Sequence, residues 1–166
     1  MGIKDDMPLL ARHEGVWEGT YRYYDAAGKL VDEHRSRLLC RFPESGPYPY
    51  HQTNIYTWTD GRTEVRDFPA EYRDGRIWWD NELIQGWAAE LNLDDKGRSV
   101  VLYWQRTGDP DLYLYEMIQM SDDGKKRCRT WHWIRNGELE TRTAIEERLV
   151  SRDWRAADEE LQKRAA

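Results

Sequence analysis

Two histidines stand, in strand-like alternation, beside groups that would let them move protons. His132 lies in the run Arg127-Cys-Arg-Thr-Trp-His-Trp-Ile-Arg135. Read as a two-residue hairpin turn, Asn136-Gly137 makes Arg135 face Glu138 and His132 face Thr141. Carrying the register back through Asp122-Asp-Gly124 sets Tyr115 beside His132. An imidazole exchanges protons near neutral pH, and a tyrosine hydroxyl orients it or donates to a developing oxyanion. His132 is therefore read as a general acid/base and Tyr115 as its partner. Asp32, His34 and Ser36 share one face of a second strand, so His34 with Asp32 is the alternative base pair. They are no Ser-His-Asp triad, because one strand cannot supply the convergent geometry. The competing reading of either histidine is a hydrogen-bonded structural group in a polar core.

Binding residues follow from the same alternation. With Asp60-Gly61 as a two-residue turn, Asn54 faces Asp67, and Gln52, Asn54 and Tyr56 share the inner face. Trp17, Tyr21, Trp79 and Trp104 are read as enclosing a ligand, with Asp67 and Thr141 among its polar contacts. Trp87, Ala89, Leu91, Val100, Leu102 and Trp104 alternate into a purely apolar wall. The expected interior is thus apolar on one side and polar on the other. Buried polar groups must be hydrogen-bonded or meet water or a ligand, which suits a partly wet cavity.

The elements that would position these residues are strands. Gly15 to Tyr24 alternates at period two, with Trp17, Gly19, Tyr21 and Tyr23 on the inward face. Two-residue registry there pairs Trp17 with Ser36, Tyr21 with Asp32, and Glu18 with Arg35 outside. Turn signals at Asp25-Ala-Ala-Gly28, Asp60-Gly61, Asp74-Gly75, Asp94-Asp-Lys-Gly97, Gly108-Asp-Pro-Asp111, Asp122-Asp-Gly124 and Asn136-Gly137 separate alternating segments. They predict an all-β, antiparallel up-and-down barrel of about ten strands, over residues 15–150 of one domain spanning 1–166. A helix over 6–13, capped by Asp6, precedes it, and one over 151–165, capped by Ser151, follows. The charged alternation Arg127, Arg129, Glu138, Glu140, Arg142, Glu146 is expected outside, and Trp131 and Trp133 with it, as a homodimer patch.

Composition narrows the function. A net charge of -6 argues against nucleic acid and anionic membrane as partners. Apolar runs fall far short of the roughly 20 residues of a membrane helix, and the start lacks a signal-peptide core, so a cytoplasmic protein is expected. The basic, aromatic run 127–135 shares its face with glutamates, which cancel the field that single-stranded nucleic acid would need. The histidines at 13, 34, 51 and 132 show no metal-binding spacing, and no glycine-rich phosphate loop is present; neither a metal nor a cofactor is expected. Cys40 and Cys128 read as separate buried thiols. The chain has 9 Trp and 10 Tyr against 2 Phe, aromatic area with polar handles, as a half-polar cavity wall requires.

A short helical segment leading into Gly15-Val-Trp17, then a meander with a closing helix, resembles the Gly-x-Trp opening of lipocalin-like (calycin) barrels. The resemblance implies that Trp17 packs across one barrel end near an arginine from a late strand, Arg148 or Arg142 here. The strand count is closer to intracellular barrels of the fatty-acid-binding or nitrobindin kind, and no haem-ligating histidine carries over. The expected function is binding of a small apolar or aromatic molecule in the cavity. Cofactor-independent acid/base chemistry (isomerase, cyclase or lyase) would act on it; the alternative is a non-catalytic carrier or sensor.

Overall fold

In a computed structural model describing residues 2–166, the chain forms a closed antiparallel barrel. Two short helical turns, α1 (Ile3–Asp6) and α2 (Pro8–Ala11), lead into β1 (Gly15–Asp25) and β2 (Leu30–Arg41). There follow β3 (Tyr50–Thr57), β4 (Thr63–Arg73), β5 (Arg76–Asp80), β6 (Ile84–Leu91) and β7 (Ser99–Arg106). Then come β8 (Asp109–Met120), β9 (Lys126–Arg135), β10 (Glu138–Ser151) and the helix α3 (Arg155–Ala165). These are ten strands among the described residues, each paired with its sequence neighbours, and β1 closes the ring against β10. A ring of this size is wider than its own side chains fill, and so encloses space.

The helical ends differ from expectation in detail. Asp6 does not cap; its carboxylate accepts a hydrogen bond from the Tyr72 hydroxyl (3.1 Å). Pro8 opens α2, and the free amides of Leu9 and Leu10 donate to Glu90 Oε1 at 2.5 and 3.0 Å. Ser151 is still strand, and α3 begins at Arg155. No helix among the described residues is long and apolar enough to cross a membrane.

Two turns are read correctly as two-residue hairpins: Asp74-Gly75 and Asn136-Gly137 hold both residues at positive φ. Elsewhere single-residue slips invert whole faces. In β10, Glu140 is bulged: Leu139 pairs with Ile134, but Thr141 pairs with Trp133 and Thr143 with Trp131. Inward parity in β9 therefore belongs to Arg127, Arg129, Trp131 and Trp133, and that in β8 to Leu112, Leu114, Glu116, Ile118 and Met120. Between β3 and β4 the turn holds three residues, not two: Trp58 pairs with Arg62, with Gly61 at φ +90. Val65 and Asp67 turn outward and Glu64, Arg66 and Phe68 inward. In β6 the cavity takes Ile84 and Ala88; Trp87 and Ala89 take the other face.

β1 and β2 keep the expected parity with a register two residues away: Trp17 pairs with Leu38, Tyr21 with His34, and Glu18 meets Arg37 (3.3 Å) rather than Arg35. Pro69 causes no bulge; it ends the β4–β5 ladder, which runs only from Glu71↔Trp78 to Arg73↔Arg76.

Candidate functional site

The inner faces surround a cavity of about 290 Å³. Its floor is the helical end: Leu10, His13, Tyr50 and Arg127. Its mouth lies at the end bearing the β1–β2, β3–β4, β7–β8 and β9–β10 hairpins, rimmed by Asp32, Trp58, Glu64, Arg66, Arg106 and Trp133. Trp79, Val100, Leu102, Trp104 and Ile118 make an apolar wall.

His34, on β2, is buried and ringed by aromatics. Its ring lies 4.8 Å from Tyr21, 4.5 Å from Tyr56 and 4.6 Å from Trp58. Its Nδ1 faces the Arg35 carbonyl at 3.2 Å, and a carbonyl can only accept, so Nδ1 carries the proton. Nε2 is then the acceptor, and the Tyr23 hydroxyl donates to it at 3.0 Å. Burial lowers the His34 pKa, against the raising effects of the Arg35 carbonyl and Asp32, so the ring is neutral at pH 7. Burial likewise pushes the Tyr23 hydroxyl well above its ordinary value, keeping it a proton donor. Asp32, at the rim, accepts from the Trp58 indole at 3.1 Å.

A polar ladder runs along β3. The Tyr50 hydroxyl donates to Gln52 Oε1 (2.9 Å), Gln52 Nε2 to Asn54 Oδ1 (2.7 Å), and Asn54 Nδ2 to the Tyr56 oxygen (2.8 Å). Residues two apart on a strand share a face, so period two alone aligns these groups down one wall.

Below them lies a buried charge network. Arg129 Nε donates to Glu116 Oε1 at 2.6 Å, and its Nη1 to the Tyr21 oxygen (2.9 Å) and Glu147 Oε1 (3.4 Å). Arg127 Nε donates to Glu147 Oε1 at 2.9 Å, and its Nη1 to His13 Nδ1 at 3.0 Å. Burial would push the Glu147 carboxyl up; Arg127 and Arg129 outweigh it and hold it below the usual carboxylate range. Burial, with Arg127 next, drives His13 well below the ordinary histidine value, so it accepts from Arg127 as a neutral ring. The Arg127 guanidinium also stacks over Trp17 at 4.3 Å. The late-strand arginine at Trp17 is thus Arg127; Arg142 and Arg148 are exposed on the outside.

The structure brings His34, Asp32, Gln52, Asn54, Tyr56, Trp79 and Trp104 to one cavity. Trp17 and Tyr21 are wholly buried beneath it, in the core. His132 and Tyr115 do face each other, but on the outer surface, with Tyr115 51% exposed. The bulge at Glu140 is the reason, and it removes both from any chemistry inside. Thr141 lies outside the cavity lining, and Asp67 points outward to Thr53 and His51. Trp131 and Trp133 line the cavity and offer no exterior dimer patch, and Cys128 is exposed rather than buried.

Sequence reading missed Tyr23 as a partner for His34, and Glu116, Arg127 and Arg129 as an interior network. The signal lay in parity: Arg127 and Arg129 alternate on one face of β9, and Glu116 of β8 and Glu147 of β10 occupy the same inward face on the flanking strands. Trp131 carries a further clue, because its buried Nε1 has no hydrogen-bond partner among the described residues.

No protein-family model and no curated protein matches the sequence. Solved structures do. One is a protein of unknown function from the DUF3598 family of Nostoc punctiforme, at TM-score 0.64 and 13% identity. The match covers 85% of this chain and 49% of that one, so the chain spans about half its length. Another is the S-type phycobiliprotein lyase CPES of Guillardia theta, at TM-score 0.66 and 13% identity over 91% of this chain and 94% of that one. At such identity the likeness is one of architecture alone: the chain shares with these structures the fold of a closed antiparallel barrel, here of ten strands.

Proposed function

We propose that the protein binds a flat, apolar small molecule in the barrel and moves a proton on it through the Tyr23–His34 pair. The observation that carries this reading is the pair itself: a neutral imidazole with a fixed tautomer, bonded to a tyrosine that lines an aromatic cavity. In this relay the Tyr23 oxygen takes a proton from the bound molecule while its own proton passes to His34 Nε2; the reverse step returns it. Gln52 and Asn54 orient polar atoms of the ligand, and the Trp131 indole N–H donates to an acceptor on it. The chemistry within reach is isomerisation, cyclisation or elimination without a cofactor.

A second reading, a carrier or sensor, is favoured by one observation. Both His34 nitrogens already have protein partners, so a purely structural role would look the same.

Native mass spectrometry of freshly purified protein identifies a retained molecule, and that molecule is then assayed for turnover. The enzyme reading expects turnover to fall at least about 100-fold in Tyr23→Phe and His34→Gln, with binding retained. Binding without turnover by the wild type establishes the carrier instead. Turnover unchanged in both variants removes the pair from the mechanism.

A further inference from the structure

One cation at the cavity mouth forms no ion pair among the described residues. Among the rim charges, Glu64 is tied to Arg66 at 2.9 Å, and Asp32 is held by the Trp58 indole. Asp109, near the same rim, is taken by Arg135 at 2.8 Å. Deeper charges are consumed by one another: Arg127 and Arg129 by Glu147 and Glu116. Arg106, half-buried at the end of β7, makes no ion pair or side-chain hydrogen bond among the described residues. Its guanidinium lies 5.9 Å from the Trp104 ring; of the charges acting on it, Arg66 repels and Asp109, its neighbour across the β7–β8 hairpin, attracts without bonding to it. Burial first, then Arg66, lower its pKa, and Asp109, which is bonded to Arg135, offsets them only in part.

A half-buried guanidinium offers five donors in a planar fork, shaped to meet an oxyanion. We propose that Arg106, assisted by Arg66, seats a singly charged oxyanion of the ligand, such as a carboxylate, at the mouth, while the flat apolar body lies inside against Trp104 and Trp131. This rests on the cavity-binding reading above and narrows it to amphipathic acids. It also assigns an orientation: charge at the rim, rings inward. Arg66 lines the same rim and gives one nitrogen, Nη2, to Glu64.

The test uses two fluorogenic probes differing by one anionic group: 8-anilinonaphthalene-1-sulfonate and its uncharged parent, N-phenyl-1-naphthylamine. Wild-type protein should bind the sulfonate at least about tenfold more tightly, as charge-assisted hydrogen bonds imply. Arg106→Gln should erase that preference and leave affinity for the uncharged probe within about twofold. Ala88→Phe fills the cavity and should abolish both signals, locating the probes inside. Circular dichroism of each variant verifies the fold. If the uncharged probe binds and Ala88→Phe blocks it, yet Arg106→Gln leaves the sulfonate preference intact, the anion seat is refuted while the cavity reading stands. If neither probe binds, or Ala88→Phe leaves both signals unchanged, the cavity reading falls and the seat with it.

Discussion

Arg129 hangs in the barrel interior between two carboxylates and a tyrosine oxygen, with its side chain 4% exposed and that of Glu116 1%. An ion pair so buried adds little net stability over a well-packed apolar pair, because desolvation offsets attraction. Breaking it is another matter. Glu116→Leu leaves a buried cation short of one carboxylate and should destabilise by about 3–5 kcal/mol in urea unfolding. The double variant Glu116→Leu/Arg129→Met should recover most of that loss; a single variant within about 1 kcal/mol of wild type would show that water, not Glu116, supports Arg129. His13 gives the network a pH limit. Its folded pKa lies well below 6.5, the value it regains on unfolding. Above 6.5 both states are neutral and contribute no slope. As pH falls below 6.5 the unfolded chain takes up a proton that the folded chain refuses, so stability falls, by up to about 1.4 kcal/mol per pH unit. His34 and His51 are displaced in the same direction. His13→Gln keeps an acceptor for Arg127 and should flatten, not abolish, the loss of stability between pH 6.5 and 5.

At the scale of the strand, two glycines set how tightly neighbours approach. A Cβ on Gly86 of β6 would lie 2.1 Å from the Tyr103 carbonyl oxygen and 2.4 Å from Trp104 Cβ. One on Gly19 of β1 would lie 2.0 Å from the Glu146 carbonyl oxygen. Backbone cannot yield as a side-chain tip can, so Gly86→Ala should cost more than about 2 kcal/mol by thermal or urea unfolding. A loss below about 0.5 kcal/mol would mean the β6–β7 spacing is slack. The strands themselves were legible, because alternation and Gly-containing turns repeat along the chain. Facing was legible only where a turn length could be read. Asn136-Gly137 is a true two-residue turn, yet one bulge at Glu140 turned β9 and β8 over. Asp60-Gly61 hid a third turn residue, and β4 turned with it. His34 was found because the β1–β2 register departs by two residues, an even step that keeps every side chain on its expected face, and Gln52, Asn54 and Tyr56 because β3 precedes the misread turn. His132 and Tyr115 were lost because their mutual register was right while their side of the wall was wrong. The arginines and glutamates of the interior were hidden by a sound general rule: charge belongs outside unless a partner is buried with it.

For the molecule as a whole, the two ends of the ring have different duties. The helical end is plugged by Met7 and Leu10 and tied by Glu90, Arg12 and Arg152 to neighbouring loops. The hairpin end carries the rim charges and is where the cavity opens. The ring itself is unequally sewn. Most ladders run seven to ten residue pairs, whereas β4 and β5 share three, ending where Pro69 has no amide to give. Above that point, among the described residues, the Trp79 indole alone hydrogen-bonds across the gap, donating to the Phe68 carbonyl at 3.3 Å. A hoop parts first at its shortest stitch, and this one flanks Phe68, Ile77 and Trp79 of the cavity wall. A guest too broad for the rim would therefore enter sideways, unzipping three rungs while the remaining ladders keep the hoop in shape.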